Sequence, residues 1–240
     1  MMMKRHVMIL LAVLLPSVAL HAEKMDRKDP PVQTLTWGAR IGFAATGTFL
    51  HDAYINGHEY TEYIQDTQVG NFAALQFRLN TRKLLIQSGL GLSFNKSSFN
   101  LDKNSWDMNS TKKDVISCSY SMVSLTVPLQ FGFNLINSHP YCMSAFTGPL
   151  LRYTPDKYYS VEYEEYNQPY HFTDSPTRIV LGWTAGFSVQ IGRTFLDFEY
   201  EVTINNVAEP MYETTGINPT PDYRLNRRVS VISFSYGIMF

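Results

Sequence analysis

Eight segments in which apolar and polar residues alternate, joined by connections that are short and long in strict turn, predict an all-β chain. The architecture they specify is an eight-stranded antiparallel transmembrane up-and-down β-barrel. A third observation points the same way. The last twelve residues, VSVISFSYGIMF, put Ile232, Phe234, Tyr236, Ile238 and Phe240 on one face and Ser233, Ser235 and Gly237 on the other. A soluble protein with such a final strand would leave an apolar edge open to aggregation, whereas in a closed barrel that strand pairs with the first. Phe234, Tyr236, Ile238 and Phe240 are therefore read as an outward, lipid-facing row and as the assembly signal of the barrel.

Ahead of the barrel, Lys4 and Arg5 precede an apolar run from Val7 to Leu15, followed by Pro16 and small residues up to Ala22. That order is a secretory signal peptide over residues 1–22, removed on export. A polar linker over 23–33, broken by Pro30 and Pro31, leads into a barrel over 34–240. With both termini in the periplasm, the short connections become periplasmic turns and the long ones external loops.

The first strand runs near Leu35 to Thr46, with Leu35, Trp37, Ala39, Ile41 and Phe43 against Thr36, Gly38, Arg40 and Gly42. The second, near Val69 to Leu79, sets Leu75, Phe77 and Leu79 against Gln76 and Arg78. The third, Lys83 to Phe94, sets Leu84, Ile86, Leu90, Leu92 and Phe94 against Gln87, Gly89 and Gly91. The fourth, within Val115 to Phe133, sets Val123, Leu125, Val127, Leu129, Phe131 and Phe133 against Ser124, Thr126, Gln130 and Gly132. Tyr141 to Tyr153 alternates least and is taken as the fifth from its position. The sixth, Arg178 to Ile191, and the seventh, Thr194 to Asn205, alternate cleanly, the latter with Leu196, Phe198, Tyr200, Val202 and Ile204 against Asp197, Glu199, Glu201 and Thr203. The terminal strand is the eighth and should pair with the first. The short connections are Asn80–Arg82, Leu135–Pro140 and Gly192–Arg193. The long ones lie near Gly47–Gln68, Asn95–Asp114, Thr154–Thr177 and Asn206–Arg227.

Bulk composition narrows the class. Mean hydropathy is slightly negative, but barrel strands escape that average because every second residue can be polar. The 15 Tyr and 15 Phe would supply aromatic girdles at the two membrane interfaces. A formal net charge of −1 argues against a nucleic-acid partner held through phosphates. Cys118 and Cys142 fall in adjacent strands near opposite ends, on the order of 45 Å apart along the strand, so both are expected free. With no Cys-x-x-Cys or paired-His spacing, neither a metal nor a cofactor is expected. A soluble lipocalin-like barrel would share the alternation with its faces exchanged. One face here is nearly continuous Leu, Ile, Val and Phe, which suits lipid.

Val123–Phe133 (VSLTVPLQFGF, with Pro128 inside the strand), Pro140–Leu151 (PYCMSAFTGPLL), Leu181–Gly192 (LGWTAGFSVQIG) and Phe195–Val207 (FLDFEYEVTINNV) resemble the PorT-type outer-membrane β-barrel family of Bacteroidetes-like bacteria. The resemblance covers the last half of the chain, and the rest in layout. It implies an outer-membrane barrel with a non-catalytic interaction or scaffold role, one candidate being protein secretion across the outer membrane. The partners implied are outer-membrane lipid, the barrel assembly machinery and other envelope or secretion proteins. Pro128, which cannot donate to a ladder, should mark a bulge or a locally unpaired point.

Two sets of residues are candidates for function. Asp197, Glu199 and Glu201 share the polar face of one strand, and in a narrow lumen they require partners; Arg40 and Arg78 have the right parity. They form either a rigid plug or a path for cations or protons. Outside, Tyr158, Tyr159, Tyr163, Tyr166 and Tyr170 stand among Glu162, Glu164 and Glu165 as a candidate binding loop, or as the outer girdle on strands that extend past the bilayer. The competing readings of function are a surface binding or adhesion barrel that uses this loop, and a small-solute channel. No Gly-x-Ser-x-Gly elbow is present, and the loop histidines, His51, His58 and His171, sit beside acids only by sequence. No catalytic residue is expected.

Overall fold

The computed structural model describes residues 33–55, 58–59, 64–81, 83–102, 115–156, 159–165, 172–173, 175–208, 212–213 and 223–240. Eight strands close into a ring: β1 (Gln33–Ile55), β2 (Gln68–Thr81), β3 (Leu84–Asp102), β4 (Val115–Ser138), β5 (Tyr141–Tyr153), β6 (Ile179–Ile191), β7 (Thr194–Thr203) and β8 (Tyr223–Met239). Each pairs antiparallel with its sequence neighbours, and β8 closes on β1 from Gly38↔Met239 to Ile55↔Tyr223. Following partners round the ring from Leu35 passes Leu79, Ile86, Phe131, Thr147, Ala185, Tyr200 and Ile232 and returns to β1 at Ala45. The stagger is thus ten residues, 35 to 45, over eight strands. It implies a strand tilt of about 40°, within the range for closed barrels.

The faces sort as a membrane barrel requires and opposite to a lipocalin. Leu35, Ile41, Phe43, Val69 and Phe133 are each more than 60% exposed, while Arg78, Gln87, Gln130, Arg152 and Asp197 are 1–2% exposed. The apolar rows face outward and the polar rows fill the lumen. Neither cysteine is in a disulfide; Cys118 stands opposite Phe99, and Cys142 stands opposite Asn137 near the other end of β4. No described helix is long and apolar enough to cross a membrane.

The short turns gather at one end. There Gly192 adopts a left-handed conformation, φ 60°, in the tight link from β6 to β7. At the long-loop end the strands run further than the alternation predicts. β1 continues to Ile55 and β3 to Asp102, through residues expected to be loop, and β4 spans 24 residues where roughly 9–11 suffice to cross a bilayer. Two further segments flank the prolonged β3–β4 hairpin. Ile64–Asp66 pairs with Ser98–Asn100 of β3, and Tyr159–Glu165 pairs with Ile116–Met122 of β4. The result is a four-stranded sheet rising beyond the ring.

Pro128 interrupts its ladders without shifting their register. On the β3 side, pairing stops between Ser88↔Leu129 and Gly91↔Thr126; on the β5 side, it stops between Pro128↔Leu150 and Phe131↔Thr147. The outward hydroxyl of Ser88 donates to the carbonyl of Pro128 at 2.8 Å and so occupies an acceptor at the gap. Of the two outcomes expected at this proline, the unpaired point is the one found. The readings of residues 1–32 as signal peptide and linker lie outside the described residues.

Candidate functional site

The lumen is built from inward positions on all eight strands, β8 contributing Arg227, Val231 and Ser235 among others. Arg40 of β1 reaches Asp197 at 3.2 Å and Glu199 at 2.5 and 3.3 Å. Arg78 of β2 donates to both oxygens of Asp197 at 2.9 Å. Asp197 therefore bridges two guanidinium groups. Burying these charges is tolerable only because each is matched and hydrogen-bonded. The arginines also lie over aromatic rings: Arg78 is 4.4 Å from the centroid of Phe195, and Arg40 is 5.4 Å from that of Phe72.

Next to the ion pairs runs a chain of amides. Gln76 donates to Gln87 at 3.1 Å, Gln87 to Gln130 at 2.6 Å, and Gln130 to Thr184 at 2.7 Å. Thr184 then donates to the carbonyl of Gly148 at 3.3 Å. The chain ties β2, β3, β4, β6 and β5 together across the interior at the level where Pro128 has broken the wall ladders. A space of about 30 Å³, lined by Arg40, Gln76, Thr126, Pro128 and Gln130 among others, admits roughly one or two water molecules and no larger solute. The Nε of Arg40, one of the lining residues, is buried with no hydrogen-bond partner in the protein.

Nearer the long loops, Glu201 pairs with Arg152 of β5 at 2.5 Å. Thr48 hydrogen-bonds both Ser97, at 2.8 Å, and the phenol of Tyr120. Just past the strand ends, the exposed pair Arg178–Asp156, at 2.6 Å, clasps the entry to β6 against the exit of β5. The hydrogen bonds from Arg178 hold the Asp156 carboxyl below its ordinary range.

The family described as "Outer membrane protein beta-barrel domain" matches residues 25–209. The chain belongs to that family. It is an outer-membrane β-barrel protein. Among solved structures it is similar to the attachment invasion locus protein Ail of Yersinia pestis in complex with the heparin analogue sucrose octasulfate (12% identity, 86% of this chain and 99% of that one, TM-score 0.36). It is also similar to the outer membrane protein OprG of Pseudomonas aeruginosa (10% identity, 87% and 97% covered, TM-score 0.46). A third likeness is to Neisserial surface protein A (11% identity, 86% and 99% covered, TM-score 0.38). A search of the curated proteins finds no match.

In this outer-membrane barrel the sequence-predicted residues divide into three groups. Arg40, Arg78, Asp197 and Glu199 come together as one network, while Glu201 takes a partner that parity did not suggest, Arg152. The signal for Arg152 was weak because inward positions of β5 mix Cys142, Phe146, Gly148 and Leu150 with it. Phe234, Tyr236, Ile238 and Phe240 form an exposed outward row, and Phe240 closes against Trp37 with ring centroids 4.9 Å apart. Of the external tyrosines, Tyr158, Tyr166 and Tyr170 lie outside the described residues. Tyr159 and Tyr163 sit on the strand Tyr159–Glu165, in register with Met122 and Cys118. Among the described residues, no cluster of His, Cys, Asp and Glu could hold a metal ion.

Proposed function

We propose that this protein is a non-catalytic interaction or scaffold subunit of the cell envelope, with the barrel as its anchor and the long-loop end as its working surface. Both termini then face the periplasm and the risen sheet faces outward. The observation that carries the reading is the contrast between the two regions. The lumen is filled by matched ion pairs and an amide chain, and the space beside Arg40 admits roughly one or two waters. Regular strand pairing meanwhile continues well past the ring into a sheet larger than membrane crossing needs. A channel would need the reverse arrangement.

Secretion of proteins across the outer membrane is one form of this role, supported by the sequence resemblance. A surface binding or adhesion barrel is the other, supported by the Tyr- and Glu-rich segment on the risen sheet. The test is copurification of a tagged, full-length protein in gentle detergent, with export of envelope cargo measured in a deletion strain. Defined stoichiometric envelope partners are expected. A protein recovered alone, with export and surface binding unchanged on deletion, would sink the reading.

A further inference from the structure

Charge is divided between the two ends of the barrel. The three short connections and the residue that opens β3 supply Arg82, Lys83, His139 and Arg193 and no acid. The four long connections hold 15 acids and seven bases, and the linker over 23–33 holds three of each. Inside, Arg40, Arg78 and Arg152 are matched by Asp197, Glu199 and Glu201. The turn end is therefore cationic and the loop end anionic. At the turn end the charges stand on the lipid border. Lys83 is exposed and leads directly into Leu84, an exposed outward residue at the foot of β3. Arg193 is exposed two residues beyond Ile191, which is exposed at the foot of β6. Four of the eight strands separate these two turns, so they lie on opposite sides of the ring. Backbone bonds fix both: the amide of Asn134 donates to the carbonyl of Lys83 at 2.8 Å, and that of Met239 to the carbonyl of Arg193 at 2.7 Å. The paired rings of Trp37 and Phe240 mark the same border between them.

Taking the leaflet from the orientation proposed above, we infer that the turn-end rim binds the headgroups of anionic phospholipids in the inner leaflet of the outer membrane, with Lys83 and Arg193 as the phosphate-contacting side chains. Long aliphatic stems let such side chains cover apolar surface while the charged tip reaches the headgroup level. Each basic residue beside a membrane surface favours anionic lipid by about fivefold. The anionic loops lie across a hydrocarbon core about 30 Å thick, well beyond a screening length of about 10 Å, so they do not cancel the field of the rim. The layout also selects lipid over an acidic protein. Charges on opposite sides of the ring, each beside a lipid-facing residue, suit separate lipid molecules around the wall. A protein would have to span the mouth of the bore to reach both.

The test uses the full-length protein in detergent, mixed with phosphatidylglycerol or phosphatidylcholine and read by native mass spectrometry as lipid retained while detergent is stripped. Phosphatidylglycerol should be held about tenfold more strongly than phosphatidylcholine, with the difference shrinking as salt is raised before stripping. Lys83→Gln/Arg193→Gln should lose the preference. Lys112→Gln/Lys113→Gln, which removes two charges from the long connection between β3 and β4, should keep it. Equal retention of the two lipids, a preference that survives in the rim variant, or one lost equally in the loop variant would overturn the inference. Displacement of the lipid by inorganic phosphate would also overturn it, by marking a free-anion site, as would retention of an acidic protein in its place. Orientation is read separately, from labelling of Ser138→Cys by a membrane-impermeant maleimide against the wild type. If intact cells are labelled, the leaflet and the proposed orientation fail while the headgroup site stands. If only lysed cells are labelled and both lipids are held alike, the headgroup site fails and the orientation stands.

Discussion

Asp197 is completely buried between Arg40 and Arg78, and both of these arginines depend on it or on Glu199 for compensation. Removing one member of such a network leaves an unmatched charge inside the barrel. Asp197→Ala is therefore expected to destabilise the protein by about 3–5 kcal/mol, measured by urea unfolding in lipid vesicles. Combining it with Arg78→Met should cost less than the two single changes summed, since the pair leaves together. Additivity would mean that the contacts are independent. The pairing of the acids with Arg40 and Arg78 was legible from sequence because β1, β2 and β7 alternate strictly, so parity alone put these side chains in one lumen. Arg152 was not, since β5 carries Phe146 and Leu150 inward and Thr147 outward, which blurs its alternation. The outward Thr147 has its own explanation: its hydroxyl donates to the carbonyl of Thr184 at 2.8 Å and accepts from the Trp183 indole at 2.7 Å. A polar group on the lipid face is thus satisfied within the wall.

At the level of elements, the eight crossing strands could be read because lipid and lumen impose opposite chemistries on successive residues. That pressure ends where the strands leave the bilayer. Ser117, Ser119 and Ser121 on the outer face of β4 need no longer be apolar, so the prolongation of β3 and β4 leaves little trace in hydropathy although pairing continues. Pro128 was visible as an anomaly, but its accommodation was not. It lies beside a close backbone approach in the wall: a Cβ placed on Gly148 of β5 would come 2.1 Å from the carbonyl oxygen of Leu129 and 2.8 Å from the Cα of Gln130. Only glycine lets β5 lie this near to β4 where the ladder is missing. Gly148→Ala should consequently destabilise the barrel by about 1–3 kcal/mol and disturb the acceptor used by Thr184. Alanine at Gly192, where nothing lies within 4 Å, provides the contrast: any cost there comes from its left-handed backbone and not from crowding. Equal unfolding behaviour of Gly148→Ala and wild type in vesicles would show that β4 and β5 are free to separate at the proline.

For the molecule as a whole, the question is whether the interior passes anything. Eight strands staggered by ten residues enclose a bore that side chains can fill, and here the filling is interlocked. Arg40, Arg78 and Arg152 balance Asp197, Glu199 and Glu201, so the obstruction is electrically matched at its centre. An ion would have to break hydrogen-bonded charge pairs to move, and the space beside Arg40 holds roughly one or two waters. The protein is therefore expected to give no regular conductance steps in planar bilayers at any moderate voltage. Glu199→Gln or Arg78→Gln should leave it silent, because neither change removes the Gln76–Gln87–Gln130–Thr184 chain that lines the bore alongside the charges. The assay bears on function as well as on packing. Stable unitary currents whose size or selectivity shifts with either substitution would mean that the network opens and lines a path. The risen sheet would then be the vestibule of a channel, and the interaction role would lose its main support.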